Sequence, residues 1–224
     1  MMALRLTLLL LRKELRIAAR SREVLGFTLL FSVLCVLIFA FGFLRGGARA
    51  DEFVPGVLWV TLLFSGTVVL LRLFSAEDEG GALDLVLRTA GGTAPLFFSK
   101  ALLQFAFAAI TTALILPMVL IFFDAEPRGL ATIALALVLG LGGQAVVGTL
   151  CAALLIDVRL REVMLPLVLY PTVAPLLIAG VKVTALALTD GDPAVIQSWL
   201  LLMVVFDLVF MLVSPWLHAR VSDL

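Results

Sequence analysis

Charged residues fall along this chain in clusters, and long stretches between the clusters are apolar throughout. Val24–Leu44, Phe53–Leu71, Ala101–Phe123, Leu130–Ile156 and Val163–Val181 carry no charged side chain, and Pro193–Leu217 carries only Asp207. About 20 apolar residues suffice for a helix to cross the hydrocarbon core of a bilayer. The pattern therefore predicts an all-α integral membrane protein with six transmembrane helices. The six spans fill most of the chain, so residues 1–224 read as a single transmembrane domain with no room for a separate soluble one.

Two segments outside the spans have helical periodicity of their own. In residues 1–23, Leu4, Leu8, Leu11, Leu15 and Ala18 recur at steps of three and four on one face, and Arg5, Arg12, Arg16 and Arg20 occupy another. Such an amphipathic helix lies in the membrane interface, leucines down and arginines toward lipid phosphates. The run Leu8–Leu11 is too short for the apolar core of a signal peptide. The second segment, residues 75–92, reads "SAEDEGGALDLVLRTAGG". Gly80 and Gly81 break the second span. Glu77, Asp78 and Glu79 then stand ahead of a short helical stripe, Leu83, Val86, Leu87 and Ala90. Acids favour the start of a helix and Arg88 its end; Asp84 and Arg88 pair at i, i+4; Gly91 and Gly92 stop it. Too short to span, this helix must bury its apolar edge on lipid, on the protein's own spans or on a partner. Its acidic start argues against the negative lipid surface.

Within the spans, small and polar residues mark points of contact. Ala136, Gly140, Gln144, Gly148 and Ala152 recur at steps of four and make a stripe on which another helix can pack closely. Pro55 suits a first helical turn, and Trp59, Trp199 and Trp216 read as belt residues near the headgroups. Pro166 fits a first turn, but Pro171 and Pro175 each remove a helix hydrogen bond, so the fifth span is expected to be kinked or interrupted. Asp207 lies near the middle of span six, where an ionised carboxylate is costly unless paired or neutral. Lys182, near the end of span five on the side where span six begins, is the partner it could meet. Asp207 is then either a structural carboxylate, bonded to Lys182 or protonated, or the proton-carrying group of a secondary carrier.

Composition agrees with this picture and charge orients it. The chain is 63% hydrophobic and 14% charged with no net charge, against about a quarter charged in soluble domains; nothing suggests a nucleic-acid partner. Basic residues favour the cytoplasm. Arg5, Arg12, Lys13, Arg16, Arg20, Arg22, Arg72, Arg88, Lys100, Arg159, Arg161 and Arg220 fall on one side, and Arg45, Arg49, Arg128 and Lys182 on the other. Both termini and residues 75–92 are thus expected in the cytoplasm.

Catalytic and cofactor signatures are lacking. No G-x-x-x-x-G-K-[ST], H-E-x-x-H or G-x-S-x-G occurs, so any nucleotide would have to be bound by another subunit. Cys35 and Cys151 lie inside spans as small packing residues. The one histidine, His218, cannot supply the ligand pair that a resident b-type haem usually takes. No permanently bound cofactor and no metal site is expected, and the chain does not read as an enzyme.

The stretch "PGVLWVTLLFSGTVVLLRLFSAEDEGGALDLVLRTA", Pro55 to Ala90, resembles the second span and following loop of the cytochrome c maturation protein B (CcmB) family. That family shows P-G-[IV]-[LI]-W, an arginine–leucine–phenylalanine exit, an acidic stretch, a glycine and a leucine-rich helix. "LLRKELRIAARSREVL" is similar to its N-terminal helix. The resemblance covers essentially the whole chain in length, span number and orientation. It implies the permease subunit of an ATP-binding-cassette (ABC) transporter of ABC-2-like type in the cell inner membrane, active in haem export or delivery for c-type cytochromes. A CcmA-like ATPase would bind the ATP, two copies of each forming the core, with CcmC-like and CcmD-like subunits and the haem chaperone CcmE as further partners and haem as cargo. In this picture Glu77, Asp78, Glu79, Gly80, Gly81, Leu83, Asp84, Val86 and Leu87 belong to the coupling helix that docks on the ATPase, and Asp157, Arg159, Arg161 and Glu162 make a second cytoplasmic contact. The alternatives are an ABC-2 permease for lipid or drug, a proton-coupled carrier using Asp207, and a non-transporting scaffold for haem-lyase subunits.

Overall fold

The structure is a computed structural model; it describes residues 7, 9–12, 22–43, 50–78, 93–155, 158 and 160–222. Six long helices follow one another: α1 (Arg22–Phe43), α2 (Val54–Asp78), α3 (Thr93–Phe122), α4 (Leu130–Leu154), α5 (Arg161–Leu188) and α6 (Pro193–Ser222), with a 3₁₀ turn, Ala50–Phe53, ahead of α2. Each contains a window long and apolar enough to cross a membrane. In hydrocarbon only internally bonded backbone is tolerated, which is why uninterrupted apolar runs of this length become helices. Among the described residues the fold is all-α, with six helices that can span a membrane.

Helix ends depart from the edges of the apolar runs in two instructive places. α2 runs on to Asp78, so Glu77 and Asp78 close the second span rather than open a new helix. No breaker stands before Gly80, and propagating a helix is cheaper than nucleating one. α3 begins at Thr93, which places Lys100 in its second turn, 3% exposed, instead of in the loop to which charge counting assigned it. With 30 residues, α3 is about 45 Å long and reaches beyond a core of roughly 30 Å.

α5 is not interrupted. It is one continuous helix through Pro166, Pro171 and Pro175. Each of the last two costs one backbone bond, but Leu165, Leu169, Val173 and Leu176 on the same helix are fully buried and hold it in register against its neighbours.

The inner helices are α2 and α4. Of their apolar windows 72% and 56% are buried in the bundle, against 11% for α6. At the arginine-poor end, Arg128 and Asp190 form an exposed ion pair at 2.7 Å, and the Gly129 N–H donates to the Ala187 carbonyl at 2.9 Å, joining the α3–α4 and α5–α6 connections. Asp192 caps α6 by accepting from the Ala194 N–H at 2.9 Å, with Pro193 in the first turn where a missing N–H costs nothing. At the other end Leu11 packs with Val24 and Leu25 on Val69, Leu103 and Phe107. The remaining leucines of the predicted N-terminal face, Leu4, Leu8 and Leu15, lie outside the described residues.

Candidate functional site

The small-residue stripe of α4 is fully buried, and its partner is α2. A Cβ at Gly140 would fall on the Trp59 ring, and one at Gly148 on Leu70. Between them the Gln144 Nε2 donates to the α2 carbonyls of Leu63 at 3.2 Å and Leu62 at 3.5 Å. Along both helices these contacts advance together, Trp59 to Gly140, Leu63 to Gln144, Leu70 to Gly148, as two spans running in the same direction must.

Trp59 is not a belt residue. It is 2% exposed, its ring lies where a Cβ of Gly140 or of Gly180 on α5 would stand, and its Nε1 donates to the Thr184 Oγ1 at 3.0 Å. Two glycine gaps on two helices admit the indole, and a hydroxyl satisfies its N–H, which is the condition for burying tryptophan. Position near the start of a span could not separate this from a headgroup anchor. Trp216, 59% exposed, does suit the belt.

Midway along α2 the polar contacts concentrate. The Gln104 Nε2 of α3 donates to the Gly66 carbonyl at 2.8 Å, and a Cβ at Gly66 would stand 2.5 Å from the Gln144 Nε2. The Ser65 Oγ donates to the Thr61 carbonyl at 2.5 Å and the Thr67 Oγ1 to the Leu63 carbonyl at 2.8 Å. Gln104 was absent from the sequence-predicted set. A lone glutamine in an apolar run was the available signal, the same that marked Gln144.

Asp207 and Lys182 do not meet. Asp207 points at α4, where a Cβ on Gly143 would fall on its Oδ1, and the Gly142 position lies 3.8 Å from its Oδ2. The Oδ1 is enclosed and has no hydrogen-bond partner among the described residues. Lys182 is exposed on α5, near enough to the helix end for its stem to carry the ammonium out to the interface. Facing glycines on α4, rather than a countercharge, make room for the carboxyl group.

At the arginine-rich end the Arg161 Nη2 donates to the Leu71 carbonyl of α2 at 3.3 Å, and Glu162 is exposed in the first turn of α5. Arg72 lies over the Phe27 ring of α1 at 5.9 Å. Arg161 thus ties the start of α5 to the helix that leads into the acidic segment. Glu77 and Asp78 belong to the last turn of α2. Glu79, Gly80, Gly81, Leu83, Asp84, Val86, Leu87, Asp157 and Arg159 lie outside the described residues. Near the arginine-poor end a cavity of about 330 Å³ opens between α1, α2 and α5, lined by Phe39, Phe43, Phe53, Val57 and Val181 with Glu52 among its polar groups. Phe43 and Phe53 stack with centroids 4.4 Å apart. No cluster of metal-ligating side chains occurs among the described residues.

Six apolar helices, joined at mid-depth by glutamine-to-carbonyl bonds and by glycine gaps, define a multi-pass membrane protein. The match to known proteins gives the particular kind. The family model described as "CcmB protein" matches residues 5–222, and the chain belongs to that family. It is 28% identical over 189 residues to "Heme exporter protein B" of Paracoccus denitrificans, covering 82% of this chain and 84% of that protein. It is 27% identical over 173 residues to the protein of the same name from Rhodobacter capsulatus, with 77% and 79% covered, and 25% identical over 172 residues to that of Pseudomonas aeruginosa, with 77% of each covered.

Proposed function

We propose that this chain is the membrane subunit of an ABC complex that exports or delivers haem for c-type cytochrome biogenesis, working with a separate ATPase. The observation that carries the reading is the family match over residues 5–222, whose relatives are named haem exporters. A chain of this kind without a nucleotide-binding motif needs a motor, and the segment from Glu77 to Ala90 is the docking element, with Asp157, Arg159, Arg161 and Glu162 as a second contact. Arg161 supports this by bonding the Leu71 carbonyl of α2, the helix that leads into that segment. In this arrangement both termini face the cytoplasm, ATP is bound by a CcmA-like partner, haem is cargo rather than a resident group, and CcmC-like and CcmD-like subunits and the chaperone CcmE complete the system, two copies of this chain per complex.

Co-purification from the native membrane tests the reading. A tagged copy of the chain is expected to bring down an ATPase together with the haem-handling subunits. Recovery of the chain without any ATPase would remove the motor and return Asp207 to the centre of the account, as the proton-carrying group of a secondary carrier.

A further inference from the structure

We infer that Ser65–Gly66–Thr67 is a bending point in α2, and that the carboxamide of Gln104 is poised to enter the helical bond between the Leu70 N–H and the Gly66 carbonyl. The obstacle to bending a helix in a membrane is that each opened bond strands a carbonyl and an N–H where no water can reach them. Here the carbonyl side is already supplied. Thr61 accepts from Ser65 at 2.5 Å, Leu63 from Thr67 at 2.8 Å and from Gln144 at 3.2 Å, and Gly66 from Gln104 at 2.8 Å. Leu62 takes weaker bonds from Ser65 at 3.3 Å and Gln144 at 3.5 Å. Four carbonyls within two turns each hold a second donor. Such side-chain bonds loosen and bend helices.

The N–H side needs an acceptor, and one stands unused. Gln104 is 1% exposed, and its Oε1 has no hydrogen-bond partner among the described residues. In an α-helix the Leu70 N–H bonds the Gly66 carbonyl, the same oxygen that Gln104 already touches through Nε2. When that bond opens, one carboxamide can hold the carbonyl with its nitrogen and take the freed N–H with its oxygen. Gly66 leaves the space: a methyl there would meet the Gln144 Nε2 at 2.5 Å and the Gln104 Nε2 at 3.4 Å. Beyond the bend α2 continues to Asp78, so motion at Gly66 swings the half of the span that leads to the acidic segment. The bend stands on the geometry alone; its use in transport rests on the function proposed above.

Hydrogen exchange of the purified chain in lipid nanodiscs tests it. Gln104→Met keeps the side-chain volume and removes both the donor and the acceptor. Amides in the peptide 61–72 are expected to exchange about tenfold slower or more, because the open state then strands buried polar groups. A reference peptide from α4 should be unchanged. Gly66→Ala, which fills the gap, should slow the same peptide and serves as the second variant. Unchanged or faster exchange of residues 61–72 in both variants overturns the bending point. In cells, loss of c-type cytochrome maturation in Gln104→Met at normal protein level supports its use in transport. Full maturation alongside slowed exchange overturns that use and leaves the proposed function standing.

Discussion

Trp59 shows how much depends on single side chains in a protein held together without a hydrophobic drive between its helices. Packing and hydrogen bonds carry association in lipid, and the indole does both, seated against Gly140 and Gly180 with its N–H on Thr184. Trp59→Phe removes the hydrogen bond and withdraws the ring atoms that reach Gly140 and Gly180, while the Thr184 hydroxyl keeps its own bond to the Gly180 carbonyl at 2.8 Å. The expected cost exceeds the roughly 0.6 kcal/mol of the hydrogen bond alone. Trp59→Ala empties the whole seat and should cost more, about 3 kcal/mol. Thermal unfolding in detergent, with the two variants ranked, checks this. Since no countercharge meets Asp207 among the described residues, Asp207→Asn keeps the shape and spares the cost of a charge. The variant should be folded, inserted and active. Total loss of cytochrome maturation at normal protein level would instead make Asp207 a proton carrier. Sequence spacing revealed that α4 has gaps but not what fills them, since Gly180 and Trp59 are distant in the chain and only the fold brings them to Gly140. The proposed Asp207–Lys182 pair failed for the same reason: lying toward the same side of the membrane does not place two residues on facing sides of two helices.

Among the elements, α2 connects the parts. It is the most buried span by its apolar window, it receives Gln104 and Gln144 at mid-length, and its last turn carries Glu77 and Asp78. If residues 77–90 dock on an ATPase, Leu83 and Leu87 are the buried anchors. Leu83→Asp with Leu87→Asp removes roughly 1.5–3 kcal/mol of burial per leucine and puts two carboxylates in an apolar contact. The ATPase should then be lost on co-purification by well over a hundredfold in affinity. Neutralising Glu77, Asp78 and Glu79 should weaken docking less, with an effect that shrinks as salt rises. Undiminished recovery of the ATPase with the double aspartate variant would make this segment a connector lying on lipid. Spans were legible here because apolar length alone decides them. The ends of α2 and the continuity of α5 were not, because breakers such as Gly80 and Pro171 set only what a helix loses, and packing of residues such as Leu169 and Val173 decides whether it continues.

At the scale of the molecule, the clustering of basic residues predicts which end faces the cytoplasm. Cysteines placed at Ala50 and Asp190 should react with an impermeant reagent added to intact cells, and one at Gly81 should not. Losing the Arg128–Asp190 pair in the second variant matters little, since both groups are exposed and such pairs contribute about 0–1 kcal/mol. Labelling of position 81 from outside would turn the protein over and remove the docking argument. Six apolar helices and a family relationship over residues 5–222 support the role proposed above, a membrane part of a haem pathway to c-type cytochromes. The direct measurement is haem covalently attached to c-type cytochromes, stained on denaturing gels, in cells lacking only this chain and in the same cells with it restored. The attached haem should disappear in the first and return in the second. Normal c-type cytochromes without the chain would contradict the account.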